Sequence, residues 1–110
     1  MAVLAPEVRR KALKAARLLD GLGVVRAAYV FGSQVEGRAD RWSDIDVAAF
    51  MDGVESWDLQ RRVRSSSRVQ LEVGLDVEAH LFPSSALEHP EKGSFAEYIL
   101  RHGVCVMRKD

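Results

Sequence analysis

Residues 32–46 read Gly32-Ser33-Gln34-Val35-Glu36-Gly37-Arg38-Ala39-Asp40-Arg41-Trp42-Ser43-Asp44-Ile45-Asp46, and they are the most informative stretch of the chain. The Gly-Ser pair closes an apolar run, Ala27-Ala28-Tyr29-Val30-Phe31, that has the composition of a strand. Ten residues lie between Ser33 and Asp44. Asp44-Ile45-Asp46 then opens a second apolar run, Val47-Ala48-Ala49-Phe50. Side chains alternate faces along a strand, so the two aspartates are expected on one face with Ile45 turned into the core. Adjacent carboxylates repel and are costly to keep ionised unless a cation lies between them. A hard divalent ion such as Mg2+, which takes carboxylate and phosphate oxygens, suits that position. A glycine turn at the end of the preceding strand lets backbone N–H groups approach a phosphate closely. Together these features point to phosphoryl chemistry on a nucleotide.

Working outward, the 110 residues are expected to form one domain, residues 1–110. A chain of this size buries roughly two-thirds of its unfolded surface and can fold unaided. Lys and Arg number 16 and Asp and Glu 16, a formal net charge of +0, without the basic excess of a chain that grips nucleic acid. Cys105 alone cannot make an internal disulfide, which fits a reducing compartment. Glu7, Arg9, Arg10, Lys11 and Lys14 interrupt any leader-like apolar segment, and no apolar run reaches membrane-spanning length. A cytoplasmic protein with no membrane partner is expected.

Pro6 and Glu7 suit a helix start, and Val8, Ala12, Ala15, Ala16, Leu19 and Leu22 recur at helical spacing before Gly21 and Gly23. Val24–Phe31 reads as an internal strand, Ser33–Arg38 as a short helix or turn, Ala39–Trp42 as a loop and Ser43–Phe50 as the second strand. A helix follows from about Trp57, with Ser56 as its cap, Leu59, Val63, Leu71 and Val73 on its buried side and Gly74 as its stop. The run Ser65-Ser66-Ser67 weakens this helix. Leu75–Phe82 is the third strand and Phe95–His102 the last helix, with Phe95, Tyr98 and Ile99 buried. Val104–Met107 follows Gly103 as a short fourth strand. This order predicts an α+β fold, a small mixed sheet with helices packed on one face.

Phe31-Gly32-Ser33, the ten-residue spacer and Ser43-Asp44-Ile45-Asp46-Val47 together resemble the signature of the DNA polymerase beta-like nucleotidyltransferase superfamily. The whole chain resembles its smallest branch, the minimal nucleotidyltransferases (MNT) of prokaryotes. The resemblance implies that fold and transfer of a nucleoside monophosphate, AMP from ATP in the first instance, with pyrophosphate leaving. It assigns Asp44 and Asp46 to the metals, Asp46 bridging two Mg2+ ions when the nucleotide is bound. The family places a third carboxylate about four residues after the glycine that ends the preceding helix. Here that is Glu78, with Asp76 as the alternate. Asp76, Glu78 and His80 share one face by alternation, where His80 is either an ordinary sheet residue or a contact to nucleotide or acceptor. Ser33 and the amides around Gly32 are implied to hold the β- and γ-phosphates, and Ser43 to contact phosphate or orient Asp44. Many relatives carry arginines at positions 34 and 36, where this chain has Gln34 and Glu36. Phosphate charge then falls to Arg38, Arg41, the metal or a partner.

The branch often pairs with a small helical HEPN-type toxin, which its nucleotidyltransferase silences as antitoxin by adenylylating a tyrosine. The resemblance therefore implies a protein acceptor of that kind. A homo-oligomer stays open. The competing expectation is a protein-binding antitoxin or NTP-binding module that keeps the fold without the chemistry. Read alone, Asp-x-Asp is an ordinary solvated strand start, and Arg61, Arg62, Arg64 and Arg68 an ordinary helix surface. Trp42 suits a base, a partner or packing, while Trp57, Tyr98 and Cys105 are expected to pack.

Overall fold

The structure, a computed structural model, describes residues 3–40 and 42–109. Helix α1 (Pro6–Leu22) leads into β1 (Val25–Phe31), a single turn α2 (Ser33–Glu36) and β2 (Ile45–Met51). A 3-10 turn (Val54–Ser56) precedes α3 (Leu59–Glu72) and β3 (Val77–Pro83). Then come α4 (Ser85–Glu88), α5 (Phe95–His102) and β4 (Val104–Arg108). The sheet order is β3-β2-β1-β4, with β1 antiparallel to both β2 and β4 and β2 parallel to β3. The fold is α+β around a small mixed sheet, and the nearly continuous apolar run of β1 reflects its place inside that sheet.

Alternation along the strands sorts side chains between two faces. Val25, Ala28, Val30, Ile45, Val47, Ala49, Met51 and Val77 pack beneath Ala12, Ala15, Ala16 and Leu19 of α1 and Val69 of α3. The break in strict alternation between Val25 and Ala28 coincides with a register shift in β1. The two long helices thus share one face, as expected. The other face is not bare: Ala27, Tyr29, Phe31, Ala48 and Phe50 pack against Ala96 and Ile99 of α5, flanked by Ala86 and Leu87 of α4. Helix packing is therefore not confined to one side. Eight residues make a marginal helix alone, so α5 owes its helicity to that burial and to the Ser94 cap, whose Oγ accepts from Glu97 N.

Several local expectations change. Asp58, not Ser56, caps α3, its carboxylate accepting from Arg61 N at 2.7 Å, while Ser56 Oγ donates to Gly53 O and closes the 3-10 turn. The buried stripe of α3 runs through Ser65 and Val69. Leu59 and Leu71, expected inside, are 77% and 80% exposed, and Val63 is exposed too. The serine run does not break α3, which runs from Leu59 to Glu72 with Ser65 on its buried stripe, where Ser65 Oγ donates to Arg61 O one turn back. Phe95 and Tyr98 lie at the rim of the second face rather than inside it, and Cys105 is exposed on edge strand β4. Among the described residues no helix is long and apolar enough to cross a membrane.

Candidate functional site

Where β1 ends, Gly32 adopts φ 84° and ψ −149°, a backbone state essentially reserved for glycine. The turn lets the chain enter α2 at once, and a Cβ at position 32 would stand 2.9 Å from Oδ2 of Asp46. Asp46 is the second residue of β2 and points to the face opposite Ile45 and Val47. Phe31 on β1 and Glu78 on β3 are its register partners. Parallel pairing of β2 with β3 therefore sets the Asp46 and Glu78 carboxylates side by side, next to the glycine turn.

His80, two residues further along β3 on the same face, completes the cluster. Its Nε2 lies 3.1 Å from Asp46 Oδ1 and 3.9 Å from Glu78 Oε1. One ligand atom from each of the three residues falls within 4.8 Å of the others. Phe31 and Phe95 stand edge-on to the imidazole, with ring centroids 5.0 and 6.3 Å away. Asp46 and His80 are about three-quarters shielded, while Glu78 is half exposed. Two carboxylates and an imidazole so disposed fit a divalent cation, and the close approach of Gly32 leaves the Asp46 carboxylate room to serve it.

Other expected site residues fall differently. Asp44 precedes β2 and is exposed, and its carboxylate is outside the three-residue cluster. Asp76 also precedes its strand. Its carboxylate pairs with Lys11 Nζ of α1 at 3.0 Å and its carbonyl accepts from Ile45 N at 2.7 Å, so it ties α1 and β2 to the start of β3. Of the two carboxylates weighed for the third position, only Glu78 joins Asp46.

Gln34 and Glu36, at the positions where the resemblance led to an expectation of arginines, both have work inside the molecule. Gln34 Nε2 donates to the carbonyls of Ser43 and Asp44 at 3.3 and 3.4 Å, binding α2 to the loop before β2. Ser43 turns to that loop as well, its Oγ accepting from Asp40 N at 3.0 Å, and Trp42 N donates to Asp40 Oδ1. Trp42 is 78% exposed and so does not belong to the core. Glu36 accepts from the Tyr98 hydroxyl and from Arg38. The Tyr98 bond first, then Arg38, holds the Glu36 carboxyl below its ordinary range, and the same bond raises the Tyr98 phenol. Arg38, expected on phosphate, is thus engaged with Glu36, and Arg41 lies outside the described residues.

Of the four α3 arginines, Arg61 stacks on Trp57 and donates to Leu22 O. Arg62 donates to Val54 O, and Arg68 pairs with Glu72. His80 is the residue that sequence reasoning undervalued. Its alternation with Glu78 was the available signal, but its nearness to Asp46 depends on the register between β2 and β3.

The family described as Polymerase beta, Nucleotidyltransferase matches residues 14–110. No curated protein matches the chain by sequence. Among solved structures, a toxin-antitoxin with AMP-PNP is similar at 22% identity and a TM-score of 0.59, over 93% of this chain and 74% of that one. A mutant of the toxin-antitoxin MntA-HpeT gives 18% identity and 0.57, over the same shares. A Sulfolobus solfataricus chain, provisionally designated a nucleotidyltransferase, gives 14% and 0.54, over 96% of this chain and 90% of its own. The glycine turn, the strand-borne Asp46 and the extent of the family match lead to one assignment: this chain belongs to the polymerase beta nucleotidyltransferase family.

Proposed function

We propose that the chain is an Mg2+-dependent nucleotidyltransferase that moves AMP from ATP to a hydroxyl on a partner protein. A HEPN-type toxin is the expected acceptor, with this chain as its minimal nucleotidyltransferase antitoxin. The observation that carries the chemistry is the pairing of Asp46 with Glu78 across β2 and β3, against the turn at Gly32. Similarity to toxin-antitoxin structures, one of them with an ATP analogue, supports the nucleotide and the kind of partner. Asp46 and Glu78, with Asp44 brought in from the loop, would hold Mg2+, two ions when nucleotide is bound. The metal, when bound, neutralises phosphate charge and eases ionisation of the attacking hydroxyl. Ser33 and the amides about Gly32 hold the β- and γ-phosphates, and Ser43 shapes the loop that carries Asp44. The acceptor oxygen bonds to the α-phosphorus while the bond to the pyrophosphate oxygen breaks, and Glu78 takes the hydroxyl proton. Alignment and charge neutralisation supply most of the acceleration in such transfers.

The test is transfer of label from α-labelled ATP to a purified HEPN-type toxin. Labelling is expected with the wild type and should fall by at least about 10–100-fold in Asp46→Asn, the scale on which groups supporting a metal site act. A second reading, silencing of the partner by occlusion alone, draws on Gln34 and Glu36 being committed to internal bonds. Inhibition that persists without ATP and in Asp46→Asn would replace the first reading with the second.

A further inference from the structure

The imidazole in the site changes the ion that the site should prefer. Adjacent donors around an octahedral ion with bonds of about 2.1 Å lie about 3.0 Å apart. Asp46 Oδ1 and His80 Nε2 already stand at 3.1 Å, and the half-exposed Glu78 needs only a side-chain rotation to close its 3.9 Å. Phe31 and Phe95, themselves in edge contact, both pack edge-on against the ring, so part of its rotational freedom is already lost before Nε2 is used as a ligand. Without a metal the contact is a hydrogen bond that Nε2–H donates to the Asp46 carboxylate; an ion entering between them takes the place of that proton, the ring keeping its proton on Nδ1 and offering the Nε2 lone pair. Mg2+ takes oxygen donors and keeps several waters, whereas imidazole suits first-row transition ions, whose affinity for such sites rises along the Irving–Williams order.

We infer that Asp46, Glu78 and His80 form a mixed nitrogen–oxygen site that selects a first-row transition dication, with Mn2+ as its probe, over Mg2+. His80 is the ligand that sets this preference. The inference rests on the proposed metal-dependent function of the same site and deepens it. Sites made of carboxylates alone do not discriminate in this way, because oxygen donors serve Mg2+ and Mn2+ alike.

The experiment uses the full chain and the metals alone. Mn2+ and Mg2+ are titrated separately by calorimetry, and bound Mn2+ is inspected by electron spin-echo spectroscopy for a coordinated imidazole nitrogen. Mn2+ should bind at least about tenfold more tightly than Mg2+, with a nitrogen coupling present. His80→Gln should weaken Mn2+ binding about 10–100-fold, the scale on which groups supporting a metal site act, weaken Mg2+ binding less so that the preference narrows, and erase the coupling. Absence of nitrogen coupling in the wild type overturns the inference whether or not the variant folds. So does equal affinity for the two ions. Transfer activity is measured separately: Mg2+-supported transfer without nitrogen coupling sinks only the role of His80. Nitrogen-ligated Mn2+ in a chain that transfers nothing sinks only the proposed reaction.

Discussion

Gly32 and Asp46 are in mutual contact range: a methyl group at Gly32 would meet the Asp46 carboxylate at 2.9 Å, on a backbone with φ 84°. The two ends of the sequence signature are thus one physical unit. Gly32→Ala should cost about 1–3 kcal/mol through backbone strain and displace the carboxylate as well. Equilibrium unfolding measures the first effect, and Mn2+ titration, expected to weaken, measures the second. Unchanged stability and metal affinity would show that the turn tolerates a side chain.

Gln34 holds the loop before β2 through two carbonyls. Gln34 is half-buried, and Gln34→Leu should cost about 0.5–1.5 kcal/mol of global stability, the usual net worth of a hydrogen bond. Amide hydrogen exchange at residues 42–44 should also accelerate, because the loop loses the two bonds by which Gln34 ties it to α2. Exchange that stays slow would assign the order of the loop to Asp40 instead.

The Tyr98–Glu36 bond ties α5 to α2 and raises the phenol above its ordinary value. A raised phenol pKa means the neutral form is favoured by folding. That contribution is complete below the unfolded value and disappears as pH rises through the folded one. Burial raises the other tyrosine, Tyr29, so ultraviolet titration should show little phenolate at the pH where free tyrosine is half ionised. Glu36→Gln should return one of the two tyrosines toward the ordinary range. Two unmoved titrations would sink this assignment.

Acid should loosen one end of the sheet, where the start of β1 meets the ends of β2 and β4. Lys109 and the amide of Val25 hold Asp20 below its ordinary range, and Arg26 and Ser84 do the same for Asp52. Depressed carboxyl values add stability above the unfolded pKa, and it is lost as pH falls through the folded values, below about pH 4. The denaturant midpoint should therefore drop over that range, and less steeply in the double substitution Asp20→Asn/Asp52→Asn. Identical slopes would mean that other carboxylates govern acid unfolding.

Ile99 is fully buried against β1 and carries α5 onto the second face. Ile99→Ala should cost about 2–5 kcal/mol, the usual range for emptying such a position. Because α5 presents Tyr98 to Glu36, the tyrosine titration should shift with it. A loss well under 1 kcal/mol would show that α5 contributes little to the core.

Much of the architecture was legible because it is local. Pro6 at a first turn, small apolar residues at helical spacing, and the apolar runs before Gly32 and after Asp46 each dictate their element through their nearest neighbours. Helix α5 was legible to the residue for the same reason, lying between Ser94, which caps it, and Gly103. At Gly103 any side chain would collide with Ile99 O at 2.6 Å. The faces of α3 were not legible. Leu59, Val63 and Leu71 are as apolar as the residues actually buried, and only the sheet beneath decides which stripe turns inward.

The chain by itself determined that a glycine turn would close one strand and that an aspartate would stand near the start of the next, since each belongs to an apolar run of its own. Only the tertiary structure decided what joins them. Strands β2 and β3 are parallel and separated by a whole helical crossover, so their register is set by packing beneath α1 and α3 rather than by any turn. That register places Glu78 opposite Asp46 and brings His80 to its carboxylate, while Asp76 is taken up by Lys11. A slip of one residue would have turned Glu78 and His80 into the core, which burial of Val77 and Ala79 on the opposite face forbids.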